Sequence, residues 1–164
     1  MTQSNNNSSS ELRDALMHDE DLIAAVRGHL YIEIQLNRLI ERLVPYPEEI
    51  ANSKLGWQQR VELALGLGLK SQYGPPLKKL GNIRNKFAHS PNASIEDKDI
   101  MELYQCLHRE DQDVVLESFR HTQGQVDDPI EGEFNDLSAK DRFTLIVVAL
   151  NAVLQLAVSE IAGK

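Results

Sequence analysis

The chain has 164 residues, of which 41% are hydrophobic and 26% charged, and its formal net charge is -8. Such a length and composition fit one soluble globular domain with one core. The excess of acidic residues argues against binding of bulk nucleic acid, because that affinity comes mainly from Lys and Arg neutralising phosphates. The single cysteine, Cys106, excludes an internal disulfide and fits a reducing compartment, so we expect a cytoplasmic protein.

The N-terminal stretch MTQSNNNSSS is polar and contains no apolar segment of the kind that a signal peptide requires. We therefore expect a disordered leader at 1–10, followed by one domain at 11–164. Ser8 and Glu11 have the spacing of a capping box, which predicts that the first structured segment begins there.

The stretch DEDLIAAVRGHLYIEIQLNRLIERLV predicts a long first helix that Pro45 terminates. Its apolar residues fall on two faces, and a helix of that kind packs between neighbours or between a neighbour and a second subunit. One face consists of Ile23, Val26, Leu30, Ile34 and Ile40, and the other of Ile32, Leu36, Leu39 and Leu43. On this basis we expect a homodimer.

Shorter helical segments are predicted next along the chain. PYPEEIANS makes a turn and a short helix entered at Pro47, and GWQQRVELALGLG forms a further helix. The stretch GPPLKKLGNIRNKFAH predicts a helix that ends close to His89, because Pro91 disfavours helix at the residue before it. Ser94 and Asp97 are expected to cap a helix over IEDKDIMELYQCLH.

Residues 109–137 are strongly acidic, and Gly and Pro interrupt their second half. The stretch DVVLESFRHT has β-strand character, so we expect an acidic excursion from the bundle, with a short β-hairpin as one form of it. The last helix is predicted to begin at Ser138, with Asp141 at capping-box spacing. The chain as a whole is predicted to be all-α, an up-and-down helical bundle of about four to six helices.

Within the last helix, FTLIVVALNAVLQLAVSEIA is long and apolar enough to cross a bilayer. Four of its polar residues share one helical face, which favours burial between protein neighbours over insertion into lipid. These residues are Thr144, Asn151, Gln155 and Ser159. We therefore expect no membrane association.

The window from Leu63 to Ile95 contains no acidic residue, although it holds several Lys and Arg residues. Its helix LKKLGNIRNKFAH has an apolar stripe formed by Leu77, Leu80, Ile83 and Phe87. Arg84 lies roughly 40° from the centre of that stripe, so it is drawn toward the interior and needs an acidic partner. Glu33 of the first helix is the predicted partner, and Arg27 is expected as a second cation beside Glu33.

Asn85 and His89 are four residues apart and therefore neighbours on one face of this helix, whereas Arg84 and His89 are separated by roughly 140°. Arg84 and His89 can converge only if the helix breaks at His89 or if a second copy of the motif faces the first. Alternatively, a His at a helix C-terminus and an Arg–Glu pair can both be purely structural. We interpret His29 as a surface or interface residue and Trp57 as a seal at the end of the bundle.

The run LGWQQRVELALGLG…LKKLGNIRNKFAHSPNASIEDKDI resembles the HEPN superfamily, small α-helical proteins marked by an Arg, four to six residues and a His. The layout of the helices is similar to that of the mannitol operon repressor family. The resemblance covers about residues 20–107 and implies a HEPN-like helical fold, with no metal and no cofactor.

The resemblance implies two candidate functions. In the first, the chain is a metal-independent endoribonuclease of a toxin–antitoxin or defence type, and two Arg–His motifs meet at a dimer interface. Arg84 would stabilise the phosphorane, Asn85 would orient the groups, and His89 would act as general base or acid for attack by the RNA 2′-OH. The residues expected to support this site are Glu33, Arg27 and Lys86.

In the second function, the chain is a non-catalytic transcriptional regulator that acts through a protein partner. Direct DNA binding is not expected, because the chain is acidic and shows no helix-turn-helix with clustered base-reading residues.

Overall fold

The computed structural model describes residues 20–90, 92–124 and 132–163. The predicted leader at 1–10 and the capping box of Ser8 and Glu11 lie outside these residues. The described residues contain seven α-helices and no β-strand, which confirms the all-α prediction and slightly exceeds the expected number of helices. The helices are α1 Glu20–Leu43, α2 Pro47–Ala51, α3 Trp57–Gly66, α4 Gly74–His89, α5 Asp97–Cys106, α6 Arg109–Gln123 and α7 Ala139–Ala162, with 3₁₀ turns at Ser71–Tyr73 and Phe134–Asp136.

Most of the predicted helix ends are correct. Helix α4 begins with prolines in its first turn and ends at His89, and the Ser138 side chain accepts a hydrogen bond from the Asp141 N–H at the start of α7. The predicted cap of α5 is wrong, because the N-cap is Glu96 and not Ser94. There the Asp99 carboxylate accepts the Glu96 N–H at 3.2 Å and so satisfies a backbone donor of the first turn.

The interpretation of 109–137 as an excursion is wrong for its first half. The stretch DVVLESFRHT lies inside helix α6 and forms no strand. Asp111, Val115 and Phe119 recur every four residues on the buried side of this helix, which is the spacing of an amphipathic helix. Residues 125–131, where a hairpin turn would lie, fall outside the described part of the chain.

Helices α1 and α7 pack along each other and form the centre of the core. A Cβ built at Gly28 would lie 3.2 Å from Val147 Cγ1 and 3.3 Å from Phe143 Cε1, so the two helices approach closely there. Further along both helices, Gln35 Nε2 donates a hydrogen bond to Asn151 Oδ1 at 3.1 Å. Because both sequence numbers increase from the first contact to the second, α1 and α7 run in the same direction.

Only one of the two predicted apolar faces of α1 is covered. The buried residues are Ile32, Leu36, Leu39 and Ile40. The residues open to solvent are Val26, Leu30 and Ile34, together with Tyr31. Ile40 therefore belongs with the buried face, and no other part of the described residues covers the open face.

Helix α7 is long and apolar enough to cross a membrane by length and composition, and 33% of that stretch is buried inside the protein. Its polar residues are not buried as expected: Thr144, Gln155 and Ser159 are exposed, and Asn151 alone among the four bonds to α1. The hydroxyls of Thr144 and Ser159 instead donate hydrogen bonds to carbonyls of their own helix, so they need no partner from another helix.

Candidate functional site

A surface cleft of about 550 Å³ lies between α1, the start of α3 and the middle of α4. Helix α1 contributes His29 and Glu33, which are neighbours one turn apart on the same helical face. The cleft therefore combines an imidazole and a carboxylate with cationic and amide groups of the opposite wall. That opposite wall, on α4, includes Lys78, Arg84 and Asn85.

Trp57 forms the wall of the cleft that belongs to α3. Its indole Nε1 donates a hydrogen bond to the carbonyl of Leu77 at 2.9 Å and so ties α3 to α4. A Cβ at Gly81 would lie 2.4 Å from two atoms of the indole ring, so only glycine at that position allows the ring to cross α4. On its other side the indole contacts His29, with ring centroids 4.0 Å apart.

His29 lines the cleft, and 12% of its side chain is exposed. Burial lowers its pKa, and the positive charges of Arg84 and Arg60 act in the same direction, whereas Glu33 opposes them. Its Nδ1 is 4.0 Å from Glu33 Oε2, which is too long for a hydrogen bond. Because its ordinary pKa is already below 7, His29 is neutral at physiological pH and can accept a proton.

The predicted ion pair between Glu33 and Arg84 is not formed. Glu33 Oε1 instead lies 3.2 Å from Arg60 Nε of α3. The Arg60 guanidinium also donates to the carbonyl of Leu55 at 2.9 Å and to the side chain of Asn37. The carboxylate thus has a cation, but it is one that the sequence did not single out.

Arg84 is exposed and not drawn into the core as expected. It lines the open cleft, so its long side chain reaches water and is not enclosed by a packed helix. Its Nη1 donates a hydrogen bond to Asn85 Oδ1 at 3.2 Å. Arg84, Asn85 and Glu33 are therefore brought to one cleft, as residues lining it, without a direct Arg84–Glu33 contact.

The remaining predicted site residues lie elsewhere. His89 is the exposed last residue of α4 and is not among the residues that line the cleft. Lys86 Nζ is 2.9 Å from Asp99 Oδ2 and 3.0 Å from Glu96 Oε1, so it forms ion pairs that link α4 to α5. Arg27 is exposed, and the cation beside Glu33 is Arg60.

Sequence reasoning missed His29 and Arg60 as members of the site. The signal for His29 was its spacing of four residues from Glu33, which places both on one face. The signal for Arg60 was weaker, a charged residue next to the buried Val61 in a short helix. In the part of the chain that the structure describes, no group of three or more His, Cys, Asp and Glu side chains could hold a metal ion.

Comparison with protein families, with curated proteins and with solved structures finds no match for this chain. The resemblance to HEPN proteins therefore stays an expectation from the sequence. Any function must be inferred from the chemistry of the side chains in and around the cleft.

Proposed function

We propose that this protein is a cytoplasmic, metal-independent endoribonuclease of the HEPN type that uses Arg84, Asn85 and His89 of α4. The observation that supports the proposal is that Arg84 is exposed and not neutralised by any of the described residues. It is exposed, it has no acidic partner among the described residues, and the Asn85 amide holds its guanidinium at 3.2 Å. A guanidinium in this state offers N–H donors to the oxygens of a phosphate.

The reaction would be cleavage of RNA by its own 2′-hydroxyl. His89 removes the proton of the 2′-OH, and the 2′-oxygen forms a bond to the adjacent phosphorus. The bond from phosphorus to the 5′-oxygen breaks, and a protonated second histidine gives its proton to that oxygen. Arg84 stabilises the extra negative charge of the phosphorane. The products are a 2′,3′-cyclic phosphate and a 5′-hydroxyl.

A second copy of the chain would complete this site. Arg84 and His89 are separated by roughly 140° around α4, and only Arg84 lines the cleft. The second histidine of the reaction is then His89 of the other copy. The uncovered apolar face of α1 and the exposed Val148 and Leu156 of α7 offer surface for such a homodimer, because apolar surface of this kind is stabilised by burial.

An RNA cleavage assay in EDTA tests the proposal. Purified wild-type protein is expected to cut structured or unstructured RNA and to leave 2′,3′-cyclic phosphate ends. His89→Ala and Arg84→Ala should each reduce the rate by about 100-fold or more. Arg38→Ala, which removes an exposed arginine of α1, is the matched control and should cleave like wild type. Intact RNA with the wild-type protein, or full activity in His89→Ala, would contradict the proposal.

One observation favours the second candidate, a non-catalytic regulator that resembles mannitol operon repressor proteins. Helix α7 carries no charged residue from Phe143 to Ser159, although Val148 and Leu156 are 57% and 66% exposed. An uncharged, partly apolar helix face on a chain of net charge -8 suits a protein partner better than a nucleic acid. Under this function the cleavage assay gives no product with any variant.

A further inference from the structure

We infer that the cleft between α1, α3 and α4 binds a phosphate group, with Lys78 and Arg84 as its cationic ligands. The site shares Arg84 with the proposed reaction but does not include His89, which lies outside the cleft. Its binding of phosphate does not require that RNA is cleaved. The ligand is a phosphate ester that comes either from an RNA backbone or from a free phosphorylated small molecule.

The charges around the cleft carry the inference. Of the cations in the acid-free window, Lys79 and Lys86 are both paired with acidic residues of α5. Lys78 and Arg84, on the same helix, are exposed, and within the described residues neither forms an ion pair. Both line the cleft. The positive charge of α4 is therefore neutralised on the side of α5 and left open on the side of the cleft.

Glu33, the one carboxylate among the described residues that line the cleft, does not cancel this charge. Glu33 is already neutralised by Arg60, whose Nε lies 3.2 Å from its Oε1. The nearby acid of α3, Glu62, accepts a hydrogen bond from the Gln58 side chain at 2.7 Å and does not line the cleft. Two cations thus remain without compensation, on a protein whose overall charge is -8. A small anion is the ligand that such a local excess favours.

Amide side chains near the cations suit phosphate oxygens. Asn82 and Asn85 present side-chain amides from α4. The first turn of α3 lines the cleft from Gly56 to Gln59 and contains no acidic residue, so it adds no carboxylate that would repel an anion. The volume of about 550 Å³ falls within the range of small-molecule sites.

His29 makes occupation of this cleft measurable. Three charged groups act on its imidazole: Glu33 from its own helix, Arg84 from α4 and Arg60 from α3. Lys78 lines the same cleft. A bound phosphate would add negative charge beside the imidazole and would therefore raise the pKa of His29. Because the imidazole contacts Trp57, its protonation would also change the fluorescence of the single tryptophan of this chain.

The test is a titration with three probes: inorganic phosphate, adenosine monophosphate and an RNA oligomer that carries 2′-O-methyl groups and cannot be cleaved. Trp57 fluorescence reports binding, and NMR of the His29 ring reports its pKa. We expect saturable binding, an increase in the pKa of His29, and a loss of affinity of about tenfold in Lys78→Gln and in Arg84→Gln. Lys70→Gln, which removes an exposed lysine of the same acid-free window outside the cleft, should bind like wild type.

The probes also identify the source of the phosphate. If the RNA oligomer binds at least tenfold tighter than the monophosphate and Lys78→Gln removes that difference, the ligand is an RNA backbone. If the oligomer binds no tighter than the monophosphate, the ligand is a phosphorylated small molecule. Absence of a saturable signal with all three probes, or equal affinity of wild type and Lys78→Gln, overturns the inference. Unchanged binding in His89→Ala would show that His89 is not a ligand of the phosphate, whether or not that variant still cleaves RNA.

Discussion

Arg60 Nε lies 3.2 Å from Glu33 Oε1, so the arginine of α3, and not Arg84 of α4, neutralises the carboxylate of α1. Both side chains are largely buried, with 27% of Glu33 and 18% of Arg60 exposed. The contact is an ion pair without the geometry of a hydrogen bond, because Arg60 Nε has no hydrogen-bond partner. Since Glu33 is neutralised in this way, the charge of Arg84 is available to a ligand.

Replacement of Arg60 by Gln tests the importance of this pair for stability. The substitution leaves the Glu33 carboxylate half-buried without its cation and weakens the hydrogen bonds to Leu55 and Asn37. We expect the free energy of unfolding to fall by about 1–3 kcal/mol, as measured by urea denaturation. Arg38→Gln should change it by less than about 0.5 kcal/mol, because Arg38 is exposed. An unchanged urea midpoint in Arg60→Gln would show that the pair adds no stability.

The close approach of Gly81 to Trp57 predicts a specific effect of Gly81→Ala. The new Cβ would lie 2.4 Å from the indole, so the ring has to move away from α4 and from the carbonyl of Leu77. We expect a loss of about 1–3 kcal/mol in the free energy of unfolding and a shifted Trp57 emission spectrum.

Gly66→Ala is the matched control for this substitution. A Cβ at Gly66 meets no atom within 4 Å, and alanine favours the helical conformation of α3, so this variant should be as stable as wild type or slightly more stable. If Gly81→Ala keeps the wild-type emission spectrum and stability, the indole is not confined by α4 in the way the structure indicates.

The lowered pKa of His29 predicts a pH dependence of stability. Burial is the main cause, Arg84 and Arg60 add to it, and Glu33 opposes it. His29 therefore binds its proton less tightly in the folded protein than in the unfolded chain, where a histidine has its ordinary pKa of 6.5. The stability that the neutral His29 contributes is fully present above the pKa of the unfolded chain's histidine. It is lost as the pH falls through the lower pKa that His29 has in the folded protein.

Denaturation curves between about pH 7.5 and pH 5 measure this contribution. Wild-type protein should lose stability as the pH falls, and His29→Gln should lose less over the same range. His108→Gln is the control, because His108 is half exposed and lies at the N-cap of α6, away from the cleft. Parallel curves for wild type and His29→Gln would show that the imidazole does not titrate differently in the folded state.

The uncharged face of α7 predicts self-association. A charge at Val148, which is 57% exposed, should have little effect on folding but should oppose burial of that face against a second copy. We expect light scattering to give a dimer for wild type and a monomer for Val148→Asp at the same concentration. Met101→Asp, at a similarly exposed apolar residue of α5, should stay dimeric. A monomeric wild-type protein would remove the basis for a site shared by two copies.

The helical architecture was largely predictable from the sequence, because it depends on local signals. Proline in the first turn of α4, the Ser138 cap of α7 and the apolar spacing of α1 each act within one or two turns of helix. The wrong prediction of a strand within α6 also came from a local signal, the type of its residues. Val114, Val115 and Phe119 favour strands by their residue type, but their spacing suits a helix that buries Val115 and Phe119.

The candidate site was predictable only in part. The sequence alone placed Arg84 and Asn85 on α4 and indicated that Arg84 and His89 diverge, since both statements follow from helical geometry. It also paired Glu33 with Arg84, which is wrong, because the cation beside Glu33 is Arg60. Which cation that is depends on how α3 and α4 pack against α1, a relationship between residues distant in the chain, and the tertiary structure placed Arg60 there. The same packing brings Trp57 across α4 at Gly81 and against His29, and these contacts also join residues that are distant in the chain.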